Sequence, residues 1–356
     1  MRTVSATLAT AQAATGRTPY IHLLLTSDDG LTTVDFSTNS VAYGNRILLV
    51  DHRESALDDR ATIVLRNYDR TLPTSLVGYW TEIGYGDTTG AGNEYPGDGV
   101  GSGTKATSRL WVKAQQHITM GGKLLMILEL EGMWAKLRET LLRIGSPPYY
   151  ITDFTTYTVY GLIDYILTNQ IDPVMDLLPL VEDDGIIDTY YPPFSVNENK
   201  LFEDAGSAIY RLLKMTKSFL RALAGLEWEV IYPQSSDAVD MTYYSAQSPY
   251  FYEYTDRDHL ALPNHIYLFF NNPTGDPNWP TILTAEAVNT TSQTAYANVA
   301  MIAVAPEVIL QADGNNRAAA ILSRVDAETV AGRLIIPHDC RMELYDRIEI
   351  VDTRGT

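Results

Sequence analysis

Over the first third of the chain, apolar and polar residues alternate in short runs, the period of strands with one buried face. Tyr20 to Leu25, Thr32 to Phe36, Asn45 to Asp51 and Ala61 to Asn67 are such runs. Ser27-Asp28-Asp29-Gly30 supplies hairpin residues between the first two. Arg109 to Lys113 and Lys123 to Leu130 read as returning strands joined at Met120-Gly121-Gly122. Gly86 to Ser108 carries seven glycines and no apolar period, which predicts a long loop. This part of the chain reads as an antiparallel barrel or sandwich.

The period then changes. Met133, Leu137, Leu141 and Ile144 mark one face of a helix that ends at Gly145 and Pro147. Val159, Leu162, Ile163 and Ile166 predict a second helix over Thr158 to Thr168. Ile209, Leu212, Leu213, Met215 and Leu220 predict a third over Ser207 to Leu223. Strands return from Trp228, at Glu229 to Tyr232, Met241 to Tyr244, Ile266 to Phe270 and Thr281 to Val288, with a turn cluster at 271–277. Ala318, Ile321, Leu322 and Val325 predict one more helix, started by Asp313 or Asn315 and closed by Gly332. It directly precedes two strands expected to pair, 333–336 and 347–351.

Arg60 to Asp87 and Arg333 to Thr356 share one order: an apolar strand, a short polar turn, then a strand with a carboxylate near its mouth. The expected fold is therefore α+β, mainly β. Antiparallel β-barrel domains at 1–132 and 228–356 flank a mostly helical domain at 133–227, with the barrels free to be discontinuous in sequence. At 356 residues, more than one core is expected.

Composition narrows the function. Lys and Arg number 26 against 44 Asp and Glu, a formal net charge of −18, which opposes adhesion to duplex DNA and anionic membranes. An acidic wall still suits a DNA conduit, because it does not hold phosphates. No apolar run has the length of a membrane span, and residues 1–18 lack the pattern of a signal peptide. Cys340 is the only cysteine, so neither an intrachain disulfide nor a cysteine-based zinc cluster is available. The 23 tyrosines against 8 phenylalanines fit a β-rich protein with extensive contacts.

Catalytic vocabulary is sparse. Histidines 22, 52, 117, 259, 265 and 338 show no metal-ligand spacing. The segment Gly97 to Lys105 has Thr104 where a phosphate-binding loop has glycine before its lysine, and no apolar helix follows it. Glu182-Asp183-Asp184-Gly185 and Asp256-Arg257-Asp258 lack the ligand alternation of a calcium loop and read as solvated turns. Gly145-Ser146 and Gly206-Ser207 are not nucleophile elbows, and the Asn289-Thr290-Thr291 sequon matters only in a secreted eukaryotic chain. No catalytic, cofactor-binding or metal-ligating residue is assigned, no cofactor is expected, and the chain is not expected to be an enzyme.

Three groups of residues carry a resemblance. The first is Leu48 to Asp51 with Glu54, Asp58-Asp59-Arg60-Ala61, Leu65-Arg66-Asn67, Leu72-Pro73 and Gly78 to Tyr85. The second is Ala208 to Gly225 followed by Leu226-Glu227-Trp228-Glu229-Val230. The third is Ala318 to Val325 with Leu334 to Pro337 and Glu343 to Asp352. Their order resembles the baseplate or tail hub proteins of tailed bacteriophages. The resemblance implies two tail-tube-like β-barrels per subunit and a homotrimer that offers a pseudo-sixfold ring to a hexameric tail tube. Further partners would be distal tail, spike or fibre proteins, with DNA passing through unbound and no stable membrane insertion. The expected location is the virion tail, assembled in the host cytoplasm, with any puncturing device on another chain. The competing readings are a carbohydrate-binding or cell-wall-degrading β protein of the tail tip, and a calcium-stabilised adhesin. The first draws on Tyr79, Trp80, Tyr85, Tyr243, Tyr244, Tyr250, Tyr252 and Tyr254.

Overall fold

The computed structural model describes residues 1–14, 16–97, 106–142, 156–192, 203–234, 236–255, 262–271, 282–305, 308, 310–328 and 332–353. The chain starts with helix α1 (Ala6–Ala13), whose cap Ser5 accepts the Leu8 N–H and whose Leu8 is buried. The alternating runs follow as β1 (Pro19–His22), β2 (Leu24–Thr26), β3 (Thr33–Asp35), β4 (Ile47–Ser55) and β5 (Asp58–Arg66). Then come β6 (Trp80–Thr81), β7 (Gly84–Thr89), β8 (Gly92–Glu94), β9 (Leu110–Met120) and β10 (Lys123–Gly132).

Seven of these strands form one antiparallel sheet in the order β3-β2-β6-β9-β10-β5-β4, and β1-β7-β8 form a second. The side chains between them, among them Leu25, Phe36, Ile63, Ile83, Leu110 and Leu128, make a continuous core. The run Tyr20 to Leu25, expected as one strand, divides between the two sheets at fully buried Leu23. Gly86 to Ser108 contains the β7–β8 hairpin, where a loop was expected. A Cβ on Gly86 would overlap the Glu94 carbonyl, so only glycine permits that approach. The Glu94 carboxylate accepts the hydroxyls of Ser5, Thr7 and Thr89. Polar bonds rather than an apolar stripe hold this hairpin, so periodicity could not report it.

The middle of the chain holds α2 (Met133–Glu139), α3 (Val159–Asn169), β11 (Asp176–Leu177), α4 (Ala205–Leu213), β12 (Phe219–Ala222) and β13 (Glu227–Ile231). Its core joins all three helices to the β11-β13-β12 sheet, with Trp134 and Trp228 edge to face at 5.3 Å. Helix α2 stops before Leu141, which is exposed, and Ile144 lies outside the described residues. The helix expected over Ser207 to Leu223 ends at Leu213. The buried Asp184 carboxylate accepts the Lys217 and Ser218 N–H groups and turns the chain there, so Leu220 is a core residue of a strand.

The last region comprises β14 (Met241–Tyr244), β15 (Glu253–Thr255), β16 (His265–Phe270), β17 (Leu283–Val288), α5 (Thr290–Tyr296), β18 (Ala300–Ala305), α6 (Gln311–Glu328), β19 (Arg333–Ile335) and β20 (Ile348–Val351). Helix α5 and strand β18 carry no periodicity that marks them in the sequence, and β19 and β20 were expected to pair with each other. Instead β19 pairs with β15 and β20 with β14. The segment between them is a string of turns pinned by Asp339–Arg341 and by Asp346, which accepts the Glu343 N–H, so it sends the two strands to different partners. The sheet β17-β16-β18 packs one face on α6 through Leu268, Phe270, Ala285 and Ala318. The architecture is α+β and mainly β; the described strands form six sheets, and none closes into a barrel.

Arginines cross the seams between these regions. Arg221 on β12 donates to Glu229 at 2.7 Å and to the Leu344 carbonyl at 3.0 Å, and lies within 3.9 Å of Glu343. Arg324 on α6 donates to the carbonyls of Leu213, Thr216 and Ser218 at the end of α4 and stacks on Phe219. Arg2 reaches Glu54 on β4 and the Met342 carbonyl.

Gly314 tests how tightly α6 seats on its sheet. A Cβ there would enter the ring of fully buried Phe270. Overpacking costs about 1–3 kcal/mol, against roughly 1 kcal/mol gained from alanine's helix propensity. Gly314→Ala is therefore expected to lower the urea midpoint at unchanged m-value, and an equal or higher midpoint would show that the ring has room to move.

Candidate functional site

Among the described residues the nearest approach to a catalytic constellation is Ser108 with His52 on β4 and Asp59 on β5, all with largely buried side chains. His52 Nε2 lies 2.8 Å from Asp59 Oδ1, and Ser108 Oγ donates to Asp59 Oδ2. The carboxylate stands between hydroxyl and imidazole, so the imidazole cannot take the serine proton as a nucleophilic triad requires. The group is a packed polar cluster, with His52 stacked against Tyr85 and Tyr85 tilted against His338.

The other histidines are dispersed. His22 stacks on Tyr95 at 4.4 Å, His265 meets Glu286 at 3.2 Å, and His117 meets Gln115. His259 lies outside the described residues. Burial pulls the imidazoles of His22 and His338 below their ordinary value. Among the described residues no three His, Cys, Asp or Glu side chains gather to hold a metal ion. No described helix is long and apolar enough to cross a membrane.

Several polar motifs prove to be folding devices. Asp184 accepts backbone N–H groups from Ile186, Ile187, Lys217 and Ser218, so this acidic cluster is a turn with a buried carboxylate rather than a wholly solvated one. Asn289 caps α5 through the Ser292 N–H and donates to Asp326 on α6. Ser207 lies in the first turn of α4 and donates to its cap, Asp204. Asp256 to Asp258, Gly145-Ser146 and residues 98–105 of the glycine-rich segment lie outside the described residues.

The aromatic set divides. Tyr79 and Tyr85 pack on the first core, and Trp80 lies under the Arg109 guanidinium at 3.7 Å. Tyr243 is buried with its hydroxyl donated to Asp339 at 3.1 Å. Tyr250 and Tyr252 are exposed, and with Tyr243 they line one cavity.

The surface feature without an internal role is the outer face and edge of the β17-β16-β18 sheet. Among the described strands β18 bonds only to β16, in parallel, and its sequence Ala-Met-Ile-Ala-Val-Ala carries no charge. Alternation turns Tyr267 and Phe269 of β16 away from α6, in register with Ile302 and Val304 of β18. Ile302 is 68% exposed and Val304 66%. Natural edge strands are guarded by charge, proline or bulges. Edge strand β4 follows that rule with Asp51, Arg53 and Glu54, although Leu48 and Leu49 are exposed at its start. Strand β18 has no such guard, so its edge and aliphatic face suit pairing with another chain. Sequence reasoning missed this surface because Ala300 to Ala305 is too weakly patterned to mark as a strand.

No protein-family profile matches the chain, and no curated protein is similar to it in sequence. Solved structures share its fold. A tail protein from Neisseria meningitidis superposes with a TM-score of 0.58 at 10% identity, covering 95% of this chain and 88% of that one. The prophage MuSo2 43 kDa tail protein from Shewanella oneidensis gives 0.58 at 10% identity, covering 94% and 90%. A prophage tail protein from Listeria monocytogenes gives 0.50 at 9% identity, covering 83% and 76%.

Cys340 provides a direct check on the absence of a reactive thiol. Burial, and then the Asp339 carboxylate, pushes it up to about 12, and the side chain is almost fully enclosed. Native protein at pH 8 is expected to leave the thiol unmodified by an aromatic disulfide reagent, with one thiol per chain reacting in urea. Rapid reaction of the native protein would place the thiol at the surface.

Proposed function

We propose that this chain is a structural protein of a bacteriophage-type tail, acting as a homotrimeric hub without catalytic activity. In this role it joins a hexameric tail tube to the distal tip and forms part of the DNA path. The observation that carries the reading is the fold shared, over nearly the whole length of both chains, with tail proteins of two bacterial sources. The functional parts are the β regions at 1–132 and 228–356, with the mostly helical region at 133–227 between them in sequence. The second β region presents in β18 an edge without charge or proline for a neighbour to complete. Pairing of that edge with a different surface of the next subunit provides the heterologous contact that closes a ring. The partners are further copies of the chain, tail-tube protein, and distal tail or spike and fibre proteins. The net charge of −18 per chain keeps the passing genome from adhering. The location is the virion tail, after assembly in the host cytoplasm.

The unguarded edge gives the test. Ile302→Lys with Val304→Lys places two ammonium groups on an exposed face without disturbing the Leu268 and Phe270 core. In sedimentation velocity the wild type is expected at the mass of three chains and the double variant at one, with unchanged circular dichroism. A wild-type monomer, or a variant that remains trimeric, would remove the edge from the assembly.

A further inference from the structure

A cavity of about 360 Å³ opens between the end of α1 and the segment joining β14 to β15. Its lining includes Pro249, Tyr250 and Tyr252, with Tyr252 67% exposed, together with Arg17. Among the described residues, neither tyrosine belongs to a hydrophobic core.

Arg17 is positioned rather than merely present. Its Nη1 donates to Gln12 Oε1 at 3.1 Å, and Gln12 Nε2 donates to the buried carboxylate of Asp87. The Cys340 N–H also donates to Gln12 Oε1, at 3.3 Å. Gln12 is thereby locked with its oxygen toward Arg17. The guanidinium lines the cavity with most of its donors unused and forms no salt bridge among the described residues. The carboxylate in the lining does not compensate it. Asp339 is engaged by Arg341 at 2.9 and 2.6 Å and by the Tyr243 hydroxyl at 3.1 Å. The counter-charge on Arg17 is the buried Asp87 carboxylate, reached through Gln12 without a direct bond, so most of the guanidinium donors stay available beside exposed aromatic faces.

We propose that this cavity binds a carboxylate-bearing saccharide of one or two rings. The sugar faces lie on Tyr250 and Tyr252, and the carboxylate accepts from Arg17 in a charge-assisted pair. The volume falls in the range of small-molecule sites, roughly 300–1,000 Å³. A neutral sugar would leave the guanidinium unpaired, and a polynucleotide would meet the negative field of the whole chain. The site lies within one chain and does not depend on the proposed trimer.

Titration calorimetry of the full chain tests it with glucuronic acid and N-acetylneuraminic acid as probes, and glucose and N-acetylglucosamine as neutral controls. At least one acidic sugar is expected to bind saturably with a Kd of about 1 mM or tighter, and each neutral sugar about tenfold or more weaker. Tyr252→Ala, at an exposed position that leaves the fold intact, and Arg17→Gln should each weaken the acidic sugar about tenfold. Near-UV circular dichroism confirms that both variants fold. Absence of saturable binding by both acidic sugars, equal binding of neutral ones, or affinity unchanged in Tyr252→Ala would overturn the assignment.

Discussion

Arginine at the seams is the interaction on which the arrangement of this protein depends. With 44 acidic residues against 26 basic ones, packing one region on another brings carboxylates together. Arg221 sits where Glu229, Glu343 and Asp346 converge, with its side chain largely withdrawn from solvent. Burial works against its charge, but the three carboxylates outweigh that effect and hold the guanidinium protonated. Arg324 does comparable work on main-chain carbonyls, bonding those of Leu213 and Thr216 at the end of α4 from a helix more than a hundred residues away. Leaving partners of such a buried group uncompensated costs about 3–5 kcal/mol, a large share of a typical stability of roughly 5–15 kcal/mol. Apolar contact builds each core; these few cations set how the cores lie together.

The same constraint explains what could be read from the sequence. Strand β10, the helix at 159–169 and the strands at 227–231, 241–244 and 265–270 follow local periodicity, and the pattern reports them closely, whereas β9 runs on to Met120, past the expected end at Lys113. Elements fixed from a distance were not legible. The end of α4 is set by Asp184, roughly thirty residues earlier in the chain, so a run of leucines and a methionine read as one continuous helix. The β7–β8 hairpin rests on Gly86 and the hydroxyls gathered by Glu94. Strands β19 and β20 were recognised as strands, but their partners depend on the folded turns between them.

The candidate site was partly legible for related reasons. Tyrosine excess pointed to contact surfaces, and Tyr243, Tyr250 and Tyr252 do converge on one cavity. Nothing local indicated that Arg17 faces them, because its orientation passes through Gln12 to Asp87. The unguarded edge of β18 was hidden by its composition: alanines and aliphatics without strong alternation resemble a connection until pairing with β16 places Ile302 and Val304 on an outer face.

The proposed role is that of a subunit whose chemistry is assembly. Its most direct test is the rotational symmetry of the purified particle in class averages from electron microscopy, alone and after addition of tail-tube protein. The account predicts threefold rings around a central channel that cap the tube ends. Single-chain particles, or twofold assemblies that ignore the tube, would contradict it.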